Sequence, residues 1–222
     1  MTAFHIAAAL LDTVMAVVAG VYLEKRRVPE IEQETAERQK GQIPCTVLLC
    51  FLIAILSVLV YAYGMFRADK EFLQALRDSV IVSWTLLIGY IDWKEHIIPN
   101  ALILMGIGFW VLLSVVEVTA GGTPLARILG YSSVGFFVVG FVLLAIALIA
   151  KSALGMGDVK LFAVLGLFYG LFGAYSILLF SAVTMALVSL ALLLFRKVTA
   201  KTALPMAPFA FFGLLVYLLS GA

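Results

Sequence analysis

Three aspartates sit where a carboxylate is costly to keep. Asp12 lies midway along "ALLDTVMAVVAG", Asp92 lies in "GYIDWKEHIIPN", and Asp158 lies in "SALGMGDVKLF". Each stands in or beside a long apolar run. An ionisable group in a membrane segment is a functional-site hypothesis by default, with a partner to be named. The other acids among the thirteen fall in loops or at outer helix ends, where water accounts for them.

Asp158 has the most specific surroundings. Gly155 and Gly157 open backbone conformations closed to other residues and remove side-chain bulk beside the carboxylate, so an extended peptide could approach there. An ordinary helix N-cap reads the same stretch without any chemistry. Asp158 would then accept the first amide hydrogens of the helix while the glycines make the turn. Taken alone, "GMGD" favours that reading; a second aspartate at matching depth shifts the balance. Two nearby carboxylates in a low-dielectric site cannot both stay ionised, so one keeps its proton near neutral pH. The ionised member takes a proton from water, and the protonated member hydrogen-bonds a scissile carbonyl. Such an aspartyl-protease pair needs neither a metal nor another cofactor, and no nucleophilic serine. The chain has no H-E-x-x-H and no G-x-S-x-G.

Helices in a membrane must position these groups. Of the 222 residues 64% are hydrophobic and 13% charged, with a mean hydropathy of +1.14. A soluble domain is nearer half apolar and a quarter charged, so the fold class is an all-α, polytopic membrane bundle. A net charge of +2 is too small to imply a nucleic-acid partner, no basic cluster has the form of a reading helix, and none is expected. Cys45 and Cys50, spaced C-x4-C in an apolar run, read as small hydrophobes, and two histidines exclude a His-rich metal site.

A crossing helix needs about 20 largely apolar residues. Such segments fall at Phe4–Leu23, Cys45–Gly64, Ser79–Ile98, Ala101–Val118, Tyr131–Ala150, Val159–Ala174, Tyr175–Phe195 and Pro205–Ser220, which predicts eight crossings. The sixth and seventh require a very tight turn made by Gly170, Gly173 and Tyr175. The run from Ser79 to Ile91 is too short to cross alone. If its helix continues to Ile98, where Pro99 stops it, Asp92 lies inside the membrane near one face. The same layout brings Asp158 to that face.

"MTAFHIAAALLDTVMAVVAGVYLEKRR" lacks a basic n-region and carries its basic cluster after the apolar stretch. It reads as an uncleaved first helix with its N-terminus outside. Lys25, Arg26, Arg27, Arg38, Lys40, Lys94, Lys151, Lys160, Arg196, Lys197 and Lys201 then lie inside, against Arg67, Lys70, Arg77 and Arg127 outside. That bias is the one the positive-inside rule asks for. The loop Glu24–Pro44 is the long polar segment and reads as a solvated helix of mixed charge. The glycines at 106, 108, 135, 140, 166 and 170 read as close helix packing. Asp12, with no glycine context, reads as structural, facing the bundle interior or a polar group such as Thr13.

At the aspartates the chain resembles the bacterial prepilin peptidases, a family of membrane aspartyl proteases. "DWKEHIIPN" resembles their first aspartate motif and "GMGDVKLFAVLG" their G-x-G-D motif. "LPMAPFAFFG", Leu204 to Gly213, is similar to the proline-rich start of their last helix, and "GVYLEKRRVP", Gly20 to Pro29, is a looser match to the end of their first. The resemblance implies cleavage of the short basic leader of type IV prepilins or pseudopilins at the cytoplasmic face of the bacterial inner membrane. It makes Asp92 and Asp158 the catalytic pair, with Gly155, Gly157, Lys160, Pro99 and Asn100 shaping the site. Bifunctional members carry a cytoplasmic domain with two Cys-x-x-Cys pairs, linked to N-methylation of the product. Here the loop Glu24–Pro44 stands in that place without a cysteine pair. The expectation is a single membrane-embedded domain over residues 1–222 that cleaves without methylating. The eight-crossing layout looks like the bifunctional members, so loss of that domain is one reading. Two rivals stay open: a proton-coupled transporter using all three aspartates, which does not account for G-x-G-D, and an inactive scaffold homologue.

Overall fold

The computed structural model describes residues 45–66, 71–121, 123–149, 154–195 and 204–220. Six helices cover almost all of them: α1 (Cys45–Phe66), α2 (Phe72–Glu95), α3 (Asn100–Gly121), α4 (Leu125–Ile149), α5 (Met156–Leu194) and α6 (Ala207–Ser220). No strand occurs among the described residues. Phe72–Glu95, Asn100–Thr119, Leu125–Ile149 and Met156–Leu194 are long and apolar enough to cross a membrane, and shorter apolar helices span Ile55–Gly64 and Ala207–Ser220. Phe141, Phe172 and Ile149 are 73%, 82% and 83% exposed. Water would penalise that surface, whereas lipid tails are as apolar as the side chains themselves. The protein is a polytopic helical membrane protein. The expected first crossing, Phe4–Leu23, lies outside the described residues.

By its contacts the chain divides into two units, Met1–Leu87 and Ile88–Ala222, with α2 running through the boundary. In the first unit α1 and the start of α2 are joined by a hydrogen bond between the Ser57 and Ser79 hydroxyls, 2.9 Å. An edge-on contact of the Tyr61 and Phe72 rings, 6.1 Å between centroids, adds to it. Here α2 begins at Phe72, not at Ser79. Its first turns carry Arg77 and Asp78, with the Arg77 Nε 3.9 Å from the Asp78 carboxylate. Asp78 is buried, so an acid assigned to water from the sequence lies within the fold beside a guanidinium.

In the second unit α4 lies along the first arm of α5, residues 156–169. Gly135 and Gly166 bring the two backbones together: a Cβ on Gly166 would come within 2.6 Å of the Gly135 carbonyl oxygen. Gly140 meets Ala163 further along. Sequence partners climb on one helix as they fall on the other, so the pair is antiparallel. On α3 the Trp110 indole N–H donates to the Ser132 hydroxyl of α4, 3.1 Å.

At 1.5 Å per residue the 39 residues of α5 would reach about 58 Å, roughly twice the hydrocarbon thickness. The helix does not run straight. Gly170 has φ 64° and ψ −168°, outside helical space. The neighbours on α6 reveal the new direction: Tyr217 lies against Tyr169 and Gly173, whereas Gly213, earlier on α6, lies against Ile177 and Ser181. The chain therefore reverses at Gly170, and residues 171–194 run back beside α6. The expected turn at Gly170–Tyr175 is real but shorter, since Gly173 and Tyr175 are helical. Gly170 is thus needed for its conformation, not only for close packing, and the Tyr131 ring sits over it. Gly108, also assigned to helix packing, faces open space.

Candidate active site

The end of α2 sets Asp92. The helix stops at Glu95 rather than at Ile98, because a residue before proline is disfavoured in the helical region. His96 takes a left-handed conformation, φ 52°, and its N–H closes the last turn on the Asp92 carbonyl, 2.9 Å. Residues 97–99 form no regular secondary structure, and α3 then starts with its first amide bonds made to the buried Pro99 carbonyl. Asp92 itself is 6% exposed. Its carboxylate accepts a hydrogen bond from the Ala207 N–H at the start of α6, 3.1 Å.

Asp158 is set by the start of α5. The helix begins at Met156, earlier than Val159, with Gly155 as its N-cap in an extended conformation. Asp158 is therefore the third residue of the first turn and not the cap itself. Its carboxylate folds back beside the backbone of Gly155. A side chain at residue 155 would crowd it: a Cβ there would stand 3.0 Å from Asp158 Oδ2.

The two motifs meet. Gly157 faces Ile98, and a Cβ there would lie 3.0 Å from the Ile98 Cβ. Lys160 Nζ donates to Asn100 Oδ1, 2.8 Å, tying the start of α3 to the second turn of α5. The Asp92 and Asp158 carboxylates lie within electrostatic reach of each other. Asp92 is enclosed and Asp158 only half-buried, while Trp93, Ile97 and Met156 beside them are more than half exposed. Among the described residues the pair is thus enclosed at Asp92 and partly accessible at Asp158. Among the described residues no group of three or more His, Cys, Asp or Glu side chains is placed to hold a metal ion. Of the residues expected at the site, Asp92, Asp158, Gly155, Gly157, Pro99, Asn100 and Lys160 come together, and Asp12 lies outside the described residues. Sequence reasoning missed Ala207 and Gly89. The Ala207 group is a main-chain amide, and Gly89 carries no motif, although it sits three residues before Asp92 and so on the same helix face.

A multi-span helical membrane protein holding two carboxylates against two helix starts is the class that fold and site define. Residues 79–190, which include both aspartates, match the model of the type IV leader peptidase family, and the chain belongs to that family. It is 30% identical over 175 residues to a prepilin leader peptidase/N-methyltransferase of Pseudomonas putida, an alignment covering 78% of this chain and 57% of that one. The chain thus spans little more than half the length of this curated relative. No solved structure matches it.

Proposed function

We propose that this protein is an aspartic-type endopeptidase of the bacterial cytoplasmic membrane that removes the short basic leader of type IV prepilins or pseudopilins. Asp92 and Asp158 are its catalytic pair. The observation that carries this reading is the convergence of two carboxylates, far apart in sequence, on one site that is partly accessible at Asp158. One member, ionised, takes a proton from the attacking water. The other, protonated, hydrogen-bonds the scissile carbonyl, and the first then returns the proton taken from water to the leaving amine. Lys160 and Asn100 hold the two motif segments in register, and Gly155 and Gly157 keep the approach clear of side chains. The lysines at this end of the bundle, Lys94 and Lys160, support placing the site at the cytoplasmic face. The loop Glu24–Pro44, without a cysteine pair, supports cleavage without N-methylation. The deciding experiment is incubation of the purified protein in detergent with a full-length prepilin. Release of the leader is expected; a prepilin left intact under conditions where a known prepilin peptidase cleaves it would refute the reading.

A further inference from the structure

The site contains a third element. The start of α6 is buried, Ala207 being fully enclosed. The first amides of a helix have no partner within it, and a buried one must find an acceptor. This helix start cannot supply its own. Met206 provides the first carbonyl, accepting from the Ala210 N–H at 3.0 Å, so it occupies the N-cap position. Its thioether is a weak acceptor in place of the usual serine or aspartate. Pro205 and Pro208 have no N–H and restrict the backbone on either side of Ala207. The acceptor comes from another helix: Asp92 Oδ2 takes the Ala207 N–H at 3.1 Å. The exchange works both ways, since an enclosed carboxylate needs a fixed donor.

What lets α6 come so close is Gly89, three residues before Asp92 on the same face of α2. A Cβ there would lie 3.1 Å from the Pro208 Cα and 3.3 Å from its nitrogen. Those are main-chain atoms that cannot swing aside. We infer that the first turn of α6 positions Asp92 through the Ala207 amide, and that Gly89 is the clearance this requires. Ala207 and Gly89 are positioning residues: neither need touch the substrate. Ala207 also lies outside the span that matches the family model. The inference deepens the peptidase reading and rests on it only for its catalytic consequence.

The test uses the full chain in detergent with Gly89→Ala, Gly89→Val, Ala207→Pro and, as control, Gly108→Ala, whose added Cβ meets nothing within 4 Å. Proline is accepted in the first turn of a helix, so Ala207→Pro deletes one donor at a tolerant position. Two readouts are taken: the pH profile of kcat, and the rate of carbodiimide modification of Asp92, followed by mass spectrometry. Losing a hydrogen bond to a charged group lowers kcat about tenfold to a hundredfold. The expected order is Gly108→Ala like wild type, Gly89→Ala down severalfold, then Gly89→Val and Ala207→Pro down about tenfold or more. The last two should displace the acidic limb of the profile and raise Asp92 labelling severalfold. A merely structural role lowers the amount of active protein but leaves the profile and the labelling of the folded fraction unchanged. That result would overturn the inference, as would equal behaviour of Gly89→Val and Gly108→Ala. The labelling needs no substrate. If the wild type cleaves no prepilin, the peptidase reading falls alone, and the labelling rates still decide whether α6 positions Asp92.

Discussion

Replacing either aspartate by asparagine separates chemistry from structure in this site. The amide of Asp92→Asn keeps a carbonyl oxygen where Asp92 Oδ2 accepts the Ala207 N–H, and Asp158→Asn is nearly isosteric at a half-buried position. The start of α6 therefore stays satisfied, and neither variant should lose more than about 1 kcal/mol of stability. Asp92→Ala is different, because it strands the buried Ala207 amide at about 1 to 3 kcal/mol. For a chain of this size that corresponds to a fall in melting temperature of roughly 2 to 4 °C per kcal/mol. An amide cannot take a proton from water or return it to the leaving amine. Each asparagine variant should therefore lose about a hundredfold to ten-thousandfold in kcat, with fold intact. Groups acting as a unit are strongly non-additive, so the double variant should be no more than about tenfold below the worse single one. The assay is leader cleavage in membranes at matched expression, with thermal unfolding in detergent alongside. Near-wild-type cleavage by Asp92→Asn or Asp158→Asn refutes the paired mechanism. A double variant whose loss equals the product of the single losses refutes their acting together.

Other outcomes test the remaining parts of the reading. Tyr131→Phe removes the hydroxyl that donates to the Tyr169 carbonyl, 2.6 Å, beside the reversal at Gly170. It should lower stability by about 1 kcal/mol in a mixed-micelle unfolding titration while leaving cleavage intact; no measurable loss would mean that the bond does not hold the turn. Asp12→Asn should keep substantial activity, and inactivation equal to that of Asp92→Asn would favour a proton path through all three aspartates. Pilin processed by this protein alone should carry a free N-terminal amine in its mass spectrum; a methylated product would sink the assignment of cleavage without methylation. Reporters fused at the N-terminus and the C-terminus should both read from outside and one in the Gln33–Gln39 loop from the cytoplasm. A cytoplasmic C-terminus would contradict the reversal at Gly170.

Hydropathy carried the bundle a long way, and its errors share a cause. It placed the apolar middles of α1 to α6 and the doubling of α5, because run length and tight-turn glycines are written in residue types. It began α2 seven residues late because Gln74, Arg77 and Asp78 look like a loop; the burial of Asp78 depends on neighbours brought by tertiary packing. It ended α2 three residues late because Pro99 bars a helical Ile98, and His96 then turns left-handed to release the chain. Glycine was the least legible letter: Gly166 serves contact, Gly170 serves a positive φ, and Gly108 meets nothing.

The two aspartates that come together were readable because their motifs are written in residue types. The group that meets Asp92 was not, because it is a main-chain amide at a helix start, that of Ala207. Its trace in a sequence is indirect. A helix whose cap position holds a residue with no good acceptor, as Met206 does between Pro205 and Pro208, must borrow an acceptor if its start is buried. In an apolar protein with few polar side chains, the natural lender is a carboxylate that already needs a donor. An uncapped, proline-flanked helix start in a membrane sequence is therefore a pointer to the nearest intramembrane acid, and here it points to Asp92.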